Sequence, residues 1–315
     1  MIDTIKGYME LTTYNYNDVE HLFEGKIPNS NKNGFMLSTN LSNFKITIKF
    51  DYKSKPIKLF FNGSLPKFYY GNNLAQMDWE TTEKAIKDLS NNINIDLTEA
   101  ILTRIDFGLN IVLIKPVNQY IISLLAYKNL GVLRFKDSVA FISKSKSVIF
   151  YDKLKEMKTN DKTAYYAIPK EYQNKNILRY EIQLKRLLKQ RLELEVVKIK
   201  NLFDSNVQNK LVEMWIVGYL EVDKLCIDSN PMFLIQKHNG LMKYLCYQGI
   251  EKLGLDKIFN TISGLNFDVK NQTVKRSKLK KSIKELMFEV KENTLEENLI
   301  TELDYNINFV KELIF

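Results

Sequence analysis

The hydrophobic and polar positions of this chain alternate most strictly between Ile101 and Ile114. Ile101, Thr103, Ile105, Phe107, Leu109, Ile111 and Leu113 fall on one side, and Arg104, Asp106, Gly108 and Asn110 on the other. A period of two marks a strand with one face in a core, so this stretch predicts a long β-strand whose second face is polar. Residues Ile177 to Lys185 divide in the same way, with Leu178, Tyr180, Ile182 and Leu184 against Arg179, Glu181, Gln183 and Lys185. Val148 to Lys153 reads as a third strand on which Ile149, Tyr151 and Lys153 share a face. Phe44 to Phe50 reads as a fourth, with Lys45, Thr47 and Lys49 outward. Between Ile57 and Asn73 the pattern predicts two short strands interrupted by a turn at Asn62-Gly63. Further strands are expected around Leu133 and Val139, with a hairpin turn at 143–147 leading into the strand that bears Tyr151.

Helical signals are fewer in the first part of the chain. Asp78 is placed to cap a helix running to about Leu89, and Pro116 to open a second one through about Tyr127. The polar stretch from Lys155 to Lys175, broken by Pro169, reads as a loop. Beyond Leu187 the apolar spacing becomes helical, over about 205–222, 232–252 and 278–291. Strands followed by helices predict an α+β protein: an antiparallel sheet with helices packed on one face over 1–190, then a mostly helical DNA-binding or accessory domain over 191–315.

Composition narrows the function. Across 315 residues, 46 Lys and Arg outnumber 37 Asp and Glu, giving a formal charge of +9 on an otherwise ordinary globular composition. Such an excess favours association with polyanions, and nucleic acid is the default partner. Lys144 and Lys146 in the expected hairpin turn, and Lys275, Arg276, Lys278, Lys280 and Lys281 in an acid-free run from 270 to 284, are the candidate contacts to a DNA backbone. The only cysteines are Cys226 and Cys246, and the only histidines His21 and His238, which argues against a disulfide framework, a zinc site and a histidine triad. The amino terminus lacks the pattern of a secretion signal and no apolar run is long enough to span a bilayer, so a cytoplasmic location without membrane attachment is expected.

If the three acid-bearing and phenol-bearing strands share one sheet, their polar face gathers Asp106, Glu181, Tyr151 and Lys153. Two carboxylates with no thiol or imidazole nearby favour a hard cation, Mg²⁺ or Mn²⁺. A tyrosine beside that cation and Lys153 is a candidate nucleophile, and phosphoryl transfer is the chemistry such a set suits. Against this, an acid beside an arginine on a half-exposed strand is most often one half of an ion pair, and a tyrosine at a strand end is most often packed. The coincidence of three such stretches favours catalysis.

Four segments, Gly63-Ser-Leu-Pro-Lys-Phe-Tyr-Tyr-Gly-Asn-Asn73, Arg104-Ile-Asp106, Ser145-Lys-Ser-Val-Ile-Phe-Tyr-Asp-Lys-Leu-Lys-Glu156 and Leu178-Arg-Tyr-Glu181, together resemble the phage and plasmid replication proteins of the gene II/gene X type, relatives of the rolling-circle plasmid initiators. The resemblance covers most of residues 1 to 225. It implies a Rep nickase-like catalytic domain that cuts one strand at a replication origin, stays joined to the 5′ phosphate through tyrosine, and later rejoins the displaced strand. It also implies origin DNA as partner, single-stranded or in hairpin or supercoiled form, together with the helicase and polymerase of a bacterial host. Carried over by motif, Tyr151 is the nucleophile, Asp106 and Glu181 hold the metal, Lys153 stabilises phosphate charge, and Arg104 and Arg179 orient the acids or clamp DNA. Two departures stand out: the paired histidines of related nickases are missing, and Asn110 occupies a position where some relatives carry a second acid. Tyr165, Tyr166 and Tyr180 are the other candidate nucleophiles. The competing readings are a noncatalytic DNA-binding replication or regulatory protein, in which the arginines merely pair with the acids, and a metal nuclease that uses water.

Overall fold

An alternating strand buries one face only if its neighbours bury the same one, so the pattern along the chain dictates a shared sheet. The computed structural model describes residues 1–31, 34–224, 234–235, 237–267, 271–293 and 299–314. Its strands are β1 (Ile2–Glu10), β2 (Asn29–Asn31), β3 (Gly34–Leu41), β4 (Phe44–Phe50), β5 (Pro56–Ser64), β6 (Ile101–Leu113), β7 (Leu124–Tyr127), β8 (Gly131–Phe135), β9 (Ser138–Ile142), β10 (Lys146–Asp152), β11 (Asn176–Leu184) and β12 (Val222–Lys224). Ten of them form one sheet in the order β2-β3-β4-β5-β1-β6-β11-β10-β9-β8, every neighbouring pair antiparallel. The remaining two, β7 and β12, pair separately.

The sheet is built twice along one path. After β1, a meander enters at the outer edge with β2 and works inward through β3 and β4 to β5, which pairs with β1. After β6, a second meander enters with β8 and works inward through β9 and β10 to β11, which pairs with β6. The seam between the halves is the pairing of β1 with β6.

Helices cover mainly one face. They are α1 (Thr13–Val19), α2 (Leu65–Tyr70), α3 (Trp79–Ile93), α4 (Val117–Ser123), α5 (Lys153–Asn160), α6 (Lys162–Tyr166), α7 (Leu188–Leu192), α8 (Ser205–Leu220), α9 (Gly240–Leu253), α10 (Leu255–Gly264), α11 (Gln272–Asn293) and α12 (Leu299–Ile314). Asp78 caps α3 as expected, its carboxylate accepting from the Thr81 amide at 2.7 Å, and the helix buries Ala85, Ile86, Leu89 and Ile93. The core continues past residue 190, because Trp215 and Tyr219 of α8 and Leu303 and Ile307 of α12 belong to the same apolar cluster as the sheet. Gly218 lets α8 approach closely: a Cβ there would stand 2.6 Å from the Ile182 side chain. Tyr247, Ile250, Leu255, Met287 and Val290 form a smaller cluster that joins α9, α10 and α11. The chain is therefore α+β, with a sheet first and a helical carboxy-terminal region after it.

Several local expectations are corrected. Asn62-Gly63 makes no turn, and β5 runs straight through it. Glycine is required there because the Phe44 ring fills the space of a Cβ, 2.5 Å away, and the chain turns instead at α2, which Ser64 caps and the left-handed Gly71 ends. The first part of the expected loop from Lys155 to Lys175 is instead the helices α5 and α6, each capped by an aspartate, Asp152 and Asp161, and only from Ala167 to Lys175 does the chain run as turns with a short 3-10 segment. Lys153 accordingly opens a helix rather than continuing its strand. The helix from Pro116 stops at Ser123, since Leu124–Tyr127 finds a strand partner in β12. The helix expected from 232 begins at Gly240, with 225–233 and 236 outside the described residues, as is Lys270 at the head of the basic run.

Candidate active site

Alternation sends one face of β1, β6, β10 and β11 away from the core, and four of the five charged side chains buried among the described residues lie there, Asp3, Asp106, Arg179 and Glu181, with the fifth, Lys153, at the start of α5 beside them. Register sets the neighbours. Gln183 stands opposite Asp106, Glu181 opposite Gly108, and Arg179 opposite Asn110; on the other side of β11, Tyr151 stands opposite Arg179. Asp106 and Glu181 are thus diagonal neighbours on one face, with Tyr151 a single strand away. Gly108 makes room for Glu181, because a Cβ on it would lie 2.3 Å from the Tyr180 carbonyl oxygen and 2.7 Å from the Glu181 Cα.

The first strand adds a carboxylate that the alternation pattern did not single out. A bulge between Ile2 and Ile5, where β1 pairs with β6, turns Asp3 onto this face. Asp3 accepts from Arg179 Nη2 at 2.7 Å and from Ser64 Oγ at 2.6 Å. Arg179 is buried, its Nε 3.6 Å from Glu181 Oε2 and without a hydrogen-bond acceptor. Arg104 grips Asp106 with two bonds, Nε to Oδ1 at 2.7 Å and Nη2 to Oδ2 at 2.5 Å. Glu181 accepts from Gln183 at 2.9 Å. Other partners missed from the sequence are Asn73 and Glu156, which accept from the fully buried Lys153 ammonium at 2.7 Å each.

Burial dominates the electrostatics. It raises the Glu181 carboxyl from its ordinary 4.5 to about 7, with the charges of Asp3 and Asp106 pushing the same way and Arg179 opposing. Burial also raises Asp106 against the pull of Arg104, and lowers Lys153 against the pull of Glu156. The Tyr151 phenol is held well above its usual 10, by burial first and by the Glu181 charge second, while Arg179 works the other way.

Tyr151 nevertheless has a route to solvent. It lines an open cleft of ≈ 1020 Å³ together with Phe135, Ile149, Glu156 and Glu181, and the Lys153 ammonium lies 5.8 Å from its ring centroid. Helix α5 forms one wall, fixed by Met157 packing with Leu74, Ile168 and Ile177. The alternative nucleophiles are placed differently. Tyr180 is fully buried on the core face, its ring 4.4 Å from Phe150 and its hydroxyl donating to the Trp215 carbonyl at 2.6 Å. Tyr165 and Tyr166 sit on α6 and do not line the cleft.

The basic residues separate into groups. Lys144 is exposed in the turn before β10, and Lys146 is part-buried with its ammonium donating to the Tyr127 hydroxyl at 2.7 Å. Lys275, Lys278 and Lys281 are exposed on α11, while Arg276 holds the Leu265 carbonyl at 2.8 Å and Lys280 donates to Ser263 at 2.8 Å. Among the described residues, no group of three or more His, Cys, Asp and Glu side chains is disposed to hold a metal ion, and no helix is long and apolar enough to cross a membrane.

Fold and site together define an α+β protein with a buried ionic network and a cleft-facing phenol on the outer face of a duplicated antiparallel sheet. The family model for the N-terminal part of a phage replication-associated protein matches residues 1–204, and the chain belongs to that family of phage replication-associated proteins. No curated protein and no solved structure matches it.

Proposed function

We propose that this protein initiates rolling-circle replication, in the manner of gene II/gene X initiators, by nicking and later rejoining one strand of origin DNA with Tyr151 as the nucleophile. The carrying observation is that Tyr151 is the tyrosine placed at once in the open cleft, one strand from Arg179 and beside Lys153 and Glu181. The phenol oxygen forms a bond to phosphorus, the bond from phosphorus to the 3′ oxygen breaks, and the phenol proton ends on that leaving oxygen through cleft water. Attack by the 3′ hydroxyl reverses the step, so no external energy source is needed. Arg179 and Lys153 lower the cost of phenolate and of the charge that builds on the phosphate.

The donor set also fits a hard cation. Asp106, Glu181, Gln183 and Asn110 offer only oxygen and amide groups, and the upward shifts of both acids reflect burial and the charge of Asp3, which Arg104 at Asp106 and Arg179 at Glu181 do not fully offset. Asp106 and Glu181 would hold Mg²⁺ or Mn²⁺, which when bound draws charge from the phosphate oxygens. Origin DNA and the host replication proteins are the partners this reading requires, in the cytoplasm of a bacterial cell.

The two arginine–carboxylate pairs favour one other reading, a DNA-binding replication protein without chemistry, since Arg104 and Arg179 are bonded as structural partners. Incubating wild type and Tyr151→Phe with supercoiled origin DNA and Mg²⁺ separates the two. Nicking and a DNA-linked Tyr151 peptide in wild type, lost in Tyr151→Phe with binding retained, support the proposal; an inert wild type supports the alternative.

A further inference from the structure

The face that carries the acids does not end at them. Two residues beyond Asp106 along β6 comes Arg104, and the register lines up a row across the sheet from it: Arg104 opposite Lys6 of β1, Lys6 opposite Asn62 of β5, Asn62 opposite Lys45 of β4, and Lys45 opposite Asn40 of β3. Lys185, one residue beyond the Leu184↔Ile105 pair, continues the row on the other side and bonds Ser147 at 2.9 Å. The next row carries Tyr8, Phe60 and Thr47, the two rings 6.1 Å apart between centroids, and the row after it Lys58 and Lys49. Lys6, Asn62 and Lys45 are exposed, Tyr8 and Phe60 half-buried, and the same strands turn Ile5, Phe61, Ile46 and Ile48 to the core.

Charge along this face is not balanced. Arg104 is occupied by Asp106 and Lys58 by Glu10, whereas among the described residues Lys6, Lys45 and Lys49 have no acidic partner. Ordinary solvation explains one outward lysine on a strand. It does not explain cations at matching register on neighbouring strands with aromatic faces beside them, which is the make-up of a surface that holds a sugar–phosphate backbone and stacks bases. The row crosses from β11 to β4, about 19 Å at the usual strand spacing, and stands about 20 Å along the strands from Tyr151, with Asp106 and Glu181 between.

The geometry points to the outer face of the amino-terminal half as a track for single-stranded DNA, with Lys6, Lys45 and Lys49 on phosphates and Phe60 under a base, while Tyr8 lies beneath the Lys58 ammonium, 4.5 Å from its ring centroid, the track leading along the sheet toward the cleft. The track deepens the nicking reading, but its test does not depend on cleavage. All measurements are made in the Tyr151→Phe background, so the absence of nicking in wild type would sink that reading while leaving these results intact.

The probe is a fluorescein-labelled single strand of about 20 nucleotides, longer than the sites such surfaces occupy, with its duplex as comparison. Adding Lys6→Gln, Lys45→Gln and Lys49→Gln should make the slope of log affinity against log salt shallower by about 2, at about 0.7 for each phosphate that is no longer neutralised. Phe60→Leu should weaken single-strand binding about fivefold or more with the slope unchanged, since it removes stacking rather than charge. Thermal melts confirm that the variants are folded, as lysines on the outer face are not part of the core. Three results overturn the proposal: an unchanged single-strand slope in the triple lysine variant, an equal loss for duplex, or transfer of the whole effect to Lys275→Gln, Lys278→Gln and Lys281→Gln on α11.

Discussion

Removing the two partners of the Asp3–Arg179 pair should have unequal costs, because each leaves a different charge behind. Asp3→Asn keeps an oxygen that can accept from Arg179 and Ser64, so the loss is that of one charged hydrogen bond, about 1.5–3 kcal/mol. Arg179→Met leaves Asp3 and Glu181 buried on one face, close to Asp106, with no cation between them, and breaking a buried pair in this way costs about 3–5 kcal/mol. The two must also interact: once Asp3 is neutral, loss of Arg179 strands one carboxylate fewer. The double variant should therefore be no less stable than Arg179→Met alone, although simple addition would put it lower by the whole Asp3→Asn cost. Urea unfolding at neutral pH, with midpoint and slope fitted for all four proteins, measures each value. The reasoning fails if Arg179→Met costs under about 1 kcal/mol, as an exposed pair would, or if the two losses add.

Other expectations are narrower. Glu181 has a folded pKa of about 7 against an ordinary 4.5, so the native state holds its proton more tightly; the resulting stability is complete below the ordinary value and is lost as pH rises through about 7. Glu181→Gln should abolish that loss, narrowing the difference in unfolding free energy between pH 5 and pH 8 by about 3 kcal/mol at most; an undiminished difference would count against the burial of this carboxyl. Gly108→Ala drives a methyl group into the β11 backbone at Tyr180 and Glu181 and should cost about 1–3 kcal/mol, with nicking falling further than the melt explains. A variant as active as wild type would show that the close approach is not needed. Lys153→Met strands the Asn73 carbonyl and Glu156, costing about 1–3 kcal/mol, and should slow adduct formation while leaving DNA affinity within error; a matching fall in affinity would make Lys153 a binding residue instead.

Alternation was enough to find β4, β6 and β11 and to put Asp106, Arg179 and Glu181 on one side, since a period of two fixes which residues share a face whatever the neighbours are. It was not enough for Asp3. The bulge that turns Asp3 toward Arg179 arises from pairing with a strand about 100 residues away, and local pattern carries no trace of it. Helices α5 and α6 escaped because they are polar and short, though Asp152 and Asp161 at their starts were the available signals. Asn62-Gly63 misled for a related reason: its glycine answers to the ring of Phe44 across the sheet, not to the path of its own chain. Exposure was hardest to foresee. Arg179 and Arg104 look alike in sequence, yet one is sealed beneath its neighbours and the other keeps part of its side chain in solvent.

The seam between β1 and β6 has a consequence for how the protein is made. Within each meander most neighbouring strands are joined by short turns, with α5 and α6 set between β10 and β11, whereas joining the seam closes the longer excursion from β1 to β6 that contains the whole first meander. Asp3 arrives from one side of that seam and Arg179 from the other. A nascent or partly melted molecule can thus own two well-formed β-meanders while Arg179 still lacks Asp3, its partner across the seam, so that the proposed cutting of DNA would itself be a report that folding has finished.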